Sequence, residues 1–238
     1  MAENLVKRFF RSLFKPFGYV VVKEKDMTDF YLHEYSSYDE YKTAQVFHNK
    51  RKIDRVFADK KTLDRVAELV LREFKDIETI SGICHGSRNG FEQNYLREAS
   101  KKFDVIGTDI SDTANNYENS FQWDFHDVND AWLGSKDFIY TNSLDQAWKP
   151  QLALETWLAQ LKENGILIIE HTKSHGPAYA SKMDPFGVRP TSMPYVLTMW
   201  FGSQISLEHS VQEKLNSNLD AWLFVIRKNQ SNVALNRQ

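Results

Sequence analysis

Residues 82–90 read Gly-Ile-Cys-His-Gly-Ser-Arg-Asn-Gly, a glycine-containing stretch between a predicted strand and a predicted helix. They follow a predicted short strand, residues 78–84, and lead into a predicted helix, residues 89–102. Glycines at such a junction let the backbone turn tightly and approach a ligand, and amide groups at a helix start favour an electron-rich group. A second predicted strand, residues 103–109, ends in Asp109, where a carboxylate can accept hydrogen bonds from both hydroxyls of a ribose. This order of elements predicts one half of a nucleoside-binding fold.

Strand and helix patterns keep alternating after this unit. Further strands are predicted at residues 121–125, 137–142 and 165–170, helices at 151–162 and 194–200, and a closing strand pair at 204–212 and 221–227. The run at 165–170 is nearly all apolar, as in a strand covered on both faces. A polar turn at 216–218 joins the closing strands, so we expect them to pair antiparallel. We therefore predict the α/β class, with a Rossmann-like, doubly wound, mostly parallel seven-stranded sheet and an antiparallel last strand.

These patterns divide the chain into three parts. Residues 1–58 are predicted to form an N-terminal helical appendage or lid, residues 59–228 the nucleoside-binding domain, and residues 229–238 a frayed tail. Helices are predicted at 38–52 and 59–74. Leu5 to Phe17 has the spacing of an amphipathic helix with a basic polar side. Two interpretations of that helix stay open: contact with an anionic membrane surface, or packing on the domain or on the second subunit of a homodimer.

Composition restricts the function classes. The chain has 238 residues, a net charge of −2 and a pI of about 6.4, which fits one large domain and argues against a nucleic-acid partner. Its one cysteine, Cys84, excludes an intramolecular disulfide and a cysteine-based zinc cage. The sequence has neither an apolar run of the roughly 20 residues that a membrane span needs nor a secretory signal pattern, so we expect a cytoplasmic protein.

The motifs narrow the choice of nucleoside. The dinucleotide fingerprint G-x-G-x-x-G and the P-loop are both absent. At the end of the third predicted strand, Asp124 can accept from the exocyclic amine of adenine, and the neighbouring Phe125 can stack on its ring. S-adenosylmethionine carries an adenosine and a carboxylate-bearing tail but no phosphate, which suits a loop without a phosphate cradle.

Residues 59–227 resemble a class I S-adenosylmethionine-dependent methyltransferase in this order of loop, acids and strands. The resemblance implies that the first loop grips the methionine end of the cofactor, that Asp109 holds the ribose and that Asp124 lies beside adenine. It also implies that residues 142–145, after the fourth strand, lie near the methyl group and the acceptor. The cofactor-binding residues expected on this basis are Gly82, Cys84, His85, Gly86, Asn89, Gly90, Asp109, Ile110, Asp124, Phe125 and Asn142.

The loop departs from the family pattern, which is an acid followed by G-x-G-x-G. Gly82 stands near the position of the acid, and Cys84 and Arg88 stand at two of the glycine positions, so only Gly86 matches squarely. This departure motivates a first alternative, a non-catalytic protein that keeps the fold for binding or regulation. A second alternative is a related Rossmann enzyme that uses NAD or a nucleotide sugar.

Methyl transfer is an in-line displacement, and the protein's work is to position the reactants and deprotonate the acceptor. The expected catalytic residues are His171, Asp145 and His175, after the fourth and fifth strands, with Glu170 also considered as a base. We weighed a metal site formed by Asp145, Glu170 and His171, but we predict no metal. The motifs D-P-P-Y and N-P-P-Y are absent after the fourth strand, so the expected acceptor is a small molecule or a glycan.

Overall fold

The computed structural model describes residues 8–229, apart from residues 11, 23 and 216. Seven strands form the main sheet, and in chain order they are β2 Ile80–His85, β3 Phe103–Asp109, β4 Ser120–Gln122, β5 Lys136–Thr141, β6 Leu161–His171, β8 Ile205–Glu213 and β9 Asp220–Lys228. Across the sheet they lie in the order β4-β3-β2-β5-β6-β9-β8. The helices are α1 Tyr38–Arg51, α2 Lys60–Glu73, α3 Phe91–Ala99, α4 Pro150–Gln160 and α5 Met193–Phe201.

Strand directions confirm the predicted fold class. The strands β4, β3, β2, β5 and β6 pair in parallel, while β9 is antiparallel to both β6 and β8. Sequence order reverses beside β2, because β3 lies on one side of it and β5 on the other. In open parallel sheets, a crevice for ligands forms at the carboxyl ends of the strands next to such a reversal.

Both faces of the sheet are covered by apolar layers. Ile139 and Leu167 pack into a cluster with Trp157 of helix α4, while their neighbours Tyr140 and Ile168 pack into a second cluster on the other face. Successive strand residues point to opposite faces. The unbroken apolar run in β6 is therefore explained by burial on both sides.

Element boundaries differ from the prediction in places. The third strand is shorter than predicted, so Asp124 and Phe125 follow it in a turn. Helix α4 ends at Gln160, two residues before the predicted end, because β6 begins at Leu161. Residues 8–10 and 12–14 are helical, whereas the other residues of the predicted helix before position 12 lie outside the described residues. The predicted tail beyond residue 229 also lies outside them.

A small second sheet was not predicted. Strand β1, Phe30–Leu32, pairs antiparallel with β7, Phe186–Val188. The partners are far apart in sequence, and local periodicity contains no information about such a pairing. This sheet joins the N-terminal part of the chain to the long loop after β6.

Gly82 lies inside β2 rather than in the loop that follows it. A Cβ atom there would come within 2.4 Å of Cε1 of Phe138 on the neighbouring strand β5. We therefore predict that Gly82→Ala lowers the free energy of unfolding by about 1–3 kcal/mol through overpacking, measured by denaturant unfolding. Adding Phe138→Leu should recover part of that loss, because the two side chains share one space. An unchanged stability in Gly82→Ala would contradict this packing role.

Candidate active site

A cavity of about 670 Å³ opens at the carboxyl ends of the parallel strands. The loops after β2, β5 and β6 line it, together with residues 52–57 and the end of the β8–β9 hairpin. A narrower crevice adjoins it under helix α1, and the two share Gly86, Arg88 and Asp184. A volume of this size is typical of small-molecule sites.

The loop after β2 makes its turn through left-handed backbone. Gly86 has φ 74°, Arg88 has φ 45° and Gly90, at the start of α3, has φ 77°. A Cβ atom on Gly86 would lie 2.5 Å from the Cβ of Ser143, whose hydroxyl donates to the Gly86 carbonyl at 3.2 Å. Glycine is required at this position by both the close approach and the backbone angle. The loop after β2 is thereby held against the loop after β5.

Asp109 closes β3 and is 6% exposed. Its two carboxylate oxygens accept hydrogen bonds from the backbone amides of Arg88 at 3.1 Å and Ser111 at 2.9 Å. Burial raises the pKa of this carboxyl. Each oxygen keeps further acceptor capacity, and the group lines the crevice beside Ile110. The geometry suits a ligand with neighbouring hydroxyls.

Asp124 also lines the crevice, and partners from the chain contact both its oxygens. The hydroxyl of Tyr38 donates to Oδ2 at 2.9 Å, while the backbone and Nδ1 of His126 approach Oδ1 at 3.0 and 2.7 Å. Burial alone would raise the pKa of Asp124, but the hydrogen bonds from His126 and Tyr38 lower it overall. Tyr41 stacks on Trp148 next to this group, with the ring centroids 5.5 Å apart. Helix α1 therefore covers the crevice.

Two residues expected at the cofactor have side chains that pack elsewhere. Cys84 belongs to the buried cluster that contains α2 and α3, and burial raises the pKa of its thiol. The ring of His85 lies between Thr108 and Gln160, at 2.8 and 2.9 Å, and stacks on Trp157. Neither residue lines the crevice or the large cavity, so both belong to the core beneath the site.

Arg88 contributes a positive charge to the cavity. In the sequence it stood out only because it replaces a glycine of the family pattern. Its guanidinium lies 4.8 Å from the ring centre of Phe57 and donates to the carbonyl of Arg55 at 3.4 Å. Its buried Nε has no hydrogen-bond partner among the described residues. The side chain lines both cavities and is a positive group available to a ligand.

The first turn of α3 adds a buried carboxyl to the cavity. Oε1 of Glu92 accepts from the amide of Asn142 at 3.4 Å, whereas the buried Oε2 lacks a partner among the described residues. Burial raises the pKa of Glu92 to about 7. Asn89, expected at the cofactor, lines the cavity, and its side chain donates to the carbonyl of Ile53 at 2.9 Å. Neither Arg88 nor Glu92 was expected to bind a ligand, although Arg88 lies in the glycine loop and Glu92 in the first helical turn after it.

His171 and His175 form a directional chain of contacts after β6. Nε2 of His171 lies 2.8 Å from the carbonyl oxygen of Val188, which can only accept, so this nitrogen carries the hydrogen. Burial lowers the pKa of His171 to about 3 and that of His175 to about 4, so both rings are neutral near pH 7. Nδ1 of His171 is then an acceptor, and the Nδ1 of His175, 3.3 Å away, must donate to it.

This chain leaves Nε2 of His175 with a free lone pair that faces the cavity. It lies 3.7 Å from Oδ2 of Asp145, which is longer than a hydrogen bond. Burial raises the pKa of Asp145 to about 7, and Oδ1 of that residue has no partner among the described residues. The three predicted catalytic residues therefore lie together, with His175 and Asp145 lining the cavity and His171 behind them.

Glu170 is bound in a separate buried network. Its carboxylate accepts from the hydroxyl of Tyr140 at 2.6 Å and from the ammonium of Lys214, which comes from the β8–β9 hairpin. Within the described part of the chain, no cluster of three or more His, Cys, Asp or Glu residues is arranged to hold a metal ion. The network instead fixes the hairpin over one side of the cavity.

Asp145 should make stability depend on pH. Because burial raises its pKa from 3.8 to about 7, the folded protein keeps a proton there that the unfolded chain loses. The stability linked to that proton is complete below the unfolded pKa and is lost as the pH rises through about 7. Asp145→Asn should thus raise the unfolding temperature at pH 8 by about 2–4 °C per kcal/mol recovered. Near pH 4, close to the unfolded pKa, the change should be small, and equal changes at both pH values would contradict the assignment.

No family model and no curated protein matches the sequence. Several solved structures are similar to the fold of this chain. A Burkholderia thailandensis 1,6-didemethyltoxoflavin-N1-methyltransferase, with S-adenosylhomocysteine bound, has a TM-score of 0.64 at 12% identity, covering 83% of this chain and 92% of that one. The plantazolicin methyltransferase BpumL, also with S-adenosylhomocysteine, has a TM-score of 0.60 at 15% identity, covering 80% and 96%.

The fold is that of class I S-adenosylmethionine-dependent methyltransferases. A third structure of this fold, the [4+2]-cyclase SpnF, has a TM-score of 0.56 at 11% identity and covers 83% of this chain and 97% of that one. At such identities the likeness establishes architecture. The chemistry has to be argued from the site.

Proposed function

We propose that this chain is an S-adenosylmethionine-dependent methyltransferase that acts on a small molecule or a glycan. The observation that carries the proposal is the order of groups along one edge of the sheet. The glycine turn follows β2, Asp109 ends β3 and Asp124 follows β4, all beside a cavity of about 670 Å³. The methyltransferases with similar structures hold S-adenosylhomocysteine, the demethylated cofactor.

The cofactor would lie across both cavities. Its ribose hydroxyls would bind Asp109. Adenine would lie between Ile110 and the Asp124–Phe125 turn after helix α1 moves outward, because the crevice beneath that helix encloses only about 20 Å³. Its methionine end carries an ammonium and a carboxylate. The unpartnered atoms of Glu92 and Arg88 offer a carboxyl and a guanidinium for these two groups.

The acceptor would lie beside His175. The bound cofactor supplies an electrophilic methyl group, and the protein's task is to remove a proton from the acceptor as the methyl is transferred. His175 is the proposed base, because its Nε2 has a free lone pair facing the cavity. His171 is a positioning residue, since its hydrogen bond to Val188 determines which nitrogen of His175 is free. The carboxylate of Asp145, whose Oδ2 lies 3.7 Å from that Nε2, would stabilise the imidazolium that forms when His175 takes the proton.

The ring tautomers can be measured without an acceptor. At pH 7 we expect nitrogen NMR to find the Nε2–H form for His171 and the Nδ1–H form for His175. His171→Phe should release the second ring to mixed tautomers while the chain still folds, because the site it occupies is buried against Phe224. A His175 ring that carries its hydrogen on Nε2 in the wild-type protein would contradict its assignment as the base.

Ligand-dependent unfolding tests the cofactor class. S-adenosylhomocysteine at 100 times its dissociation constant should stabilise the protein by about 2.7 kcal/mol. For a chain of this size, that is a rise of roughly 5–10 °C in the unfolding temperature. NAD and a nucleotide sugar, tested separately, should give no rise. A rise with either of these instead would favour the corresponding Rossmann enzyme.

Asp109→Ala should weaken S-adenosylhomocysteine binding by about 1–3 kcal/mol, since it removes one partner of two buried hydroxyls. Isothermal titration measures the loss, and the unfolding temperature without ligand reports whether the variant folds. Asp127→Ala is the matched control. This acid is exposed, follows the Asp124–Phe125 turn, and its removal should leave the affinity unchanged. Equal affinities of wild type and Asp109→Ala would place the ribose elsewhere.

A second candidate function keeps the cofactor but not the methyl transfer. The similar structure described as a [4+2]-cyclase motivates it, together with the departures at Cys84 and Arg88 from the usual glycines. S-adenosylhomocysteine binding with no methyl transfer from labelled cofactor to any offered acceptor would favour this candidate.

A further inference from the structure

The N-terminal segment, residues 8–22, exposes apolar side chains to an unusual degree. Every described residue in it is exposed, including the phenylalanines at 9, 10, 14 and 17. Phe9, Phe17 and Val20 are 65%, 75% and 76% exposed. Scattered apolar residues are normal on a protein surface, but a contiguous set of this size marks an interaction site. We therefore expect the segment to bind a partner through these apolar side chains.

The charge of the segment indicates which partner. In the sequence, Arg8, Arg11 and Lys15 are its only charged residues, and all are basic. Arg8 and Lys15 are seven residues apart, a spacing that falls on one side of a helix, while Phe9 with Leu13, and Phe10 with Phe14, are four apart and share another. Apolar and aromatic groups beside a basic stripe suit the boundary between lipid headgroups and acyl chains.

The segment joins the wall of the large cavity through the residues that follow it. Nζ of Lys25 donates to the carbonyl of Ala180 at 3.1 Å, and Arg189 donates to the carbonyl of Thr28 at 3.1 Å. Strand β1 then pairs with β7 at the end of the same loop. The loop between β6 and β7 lines the cavity through His175, among other residues.

Exposed apolar side chains also lie along the cavity itself. Val56, Phe57 and Tyr179 line it and are 43%, 48% and 64% exposed, although most of the deeper lining is polar. No helix in the described part of the chain is long and apolar enough to cross a membrane.

We propose that residues 8–22 dock on an anionic lipid surface and hold the cavity mouth beside it. The apolar side chains enter the headgroup boundary while the basic residues contact lipid phosphates. Neither step requires cofactor binding. A further consequence, which rests on the proposed function, is that the methyl acceptor is an amphiphile with an apolar part in the lipid and a polar part that reaches His175.

Vesicle co-sedimentation of the full chain tests the docking. Wild type should bind phosphatidylcholine vesicles that contain phosphatidylglycerol, bind pure phosphatidylcholine weakly, and lose most binding in high salt. Phe9→Ser with Phe17→Ser should weaken binding to the anionic vesicles by at least about tenfold. The matched control is Phe47→Ser with Phe121→Ser, two phenylalanines 56% and 48% exposed elsewhere, which should bind like wild type.

Three results would overturn the proposal. Wild type could fail to bind anionic vesicles, or the Phe9/Phe17 variant could bind as well as its control. Light scattering could instead show that the wild type is a dimer and the Phe9/Phe17 variant a monomer, with no vesicle binding by the wild type. The segment would then be a subunit interface. The same variant should keep its thermal response to S-adenosylhomocysteine. A failure of lipid binding is thereby distinguishable from a failure of the cofactor assignment.

Discussion

The contact between Gly86 and Ser143 is the constraint on which the site depends. Because a Cβ atom at Gly86 would lie 2.5 Å from that of Ser143, the chain can only turn here with glycine in left-handed backbone. The turn directs the amide of Arg88 at Asp109 and starts helix α3 at Gly90. Loops from three neighbouring strands are thereby fixed against one another at the edge where β2 lies between β3 and β5.

Charge in the cavity follows from burial. The carboxyls of Glu92, Asp145 and Asp184 all have raised pKa values, at about 7, 7 and 6, because burial disfavours their ionised forms. A cationic ligand would favour ionisation of these groups. Both the sulfonium and the ammonium of the proposed cofactor are such cations. Binding of the proposed cofactor would therefore offset part of the cost of burying these acids.

Much of the architecture was accessible from sequence because it is encoded locally. The apolar run of β6, the stripe of α2 and the acid that ends β3 predicted the doubly wound sheet and placed Asp109 at its edge. The direction of individual side chains could not be predicted from the sequence, because it depends on neighbours that are distant in the chain. His85 ends β2 directly before Gly86, yet its ring turns to Gln160 in the core. The sequence did not single out Glu92 and Arg88 as ligand groups, because their burial beside the cavity depends on segments distant in the chain. The pairing of β1 with β7 was missed for the same reason.

A crystal structure of the protein with S-adenosylhomocysteine bound would test whether the edge of the sheet at β2, β3 and β5 is the cofactor site. We expect both ribose hydroxyls within hydrogen-bond distance of the Asp109 carboxylate, with adenine beside Ile110 and the methionine end near Arg88 and Glu92. A ligand bound elsewhere on the chain, or a crevice still filled by Tyr41 and its neighbours at saturating ligand, would contradict the assignment of this site to the cofactor.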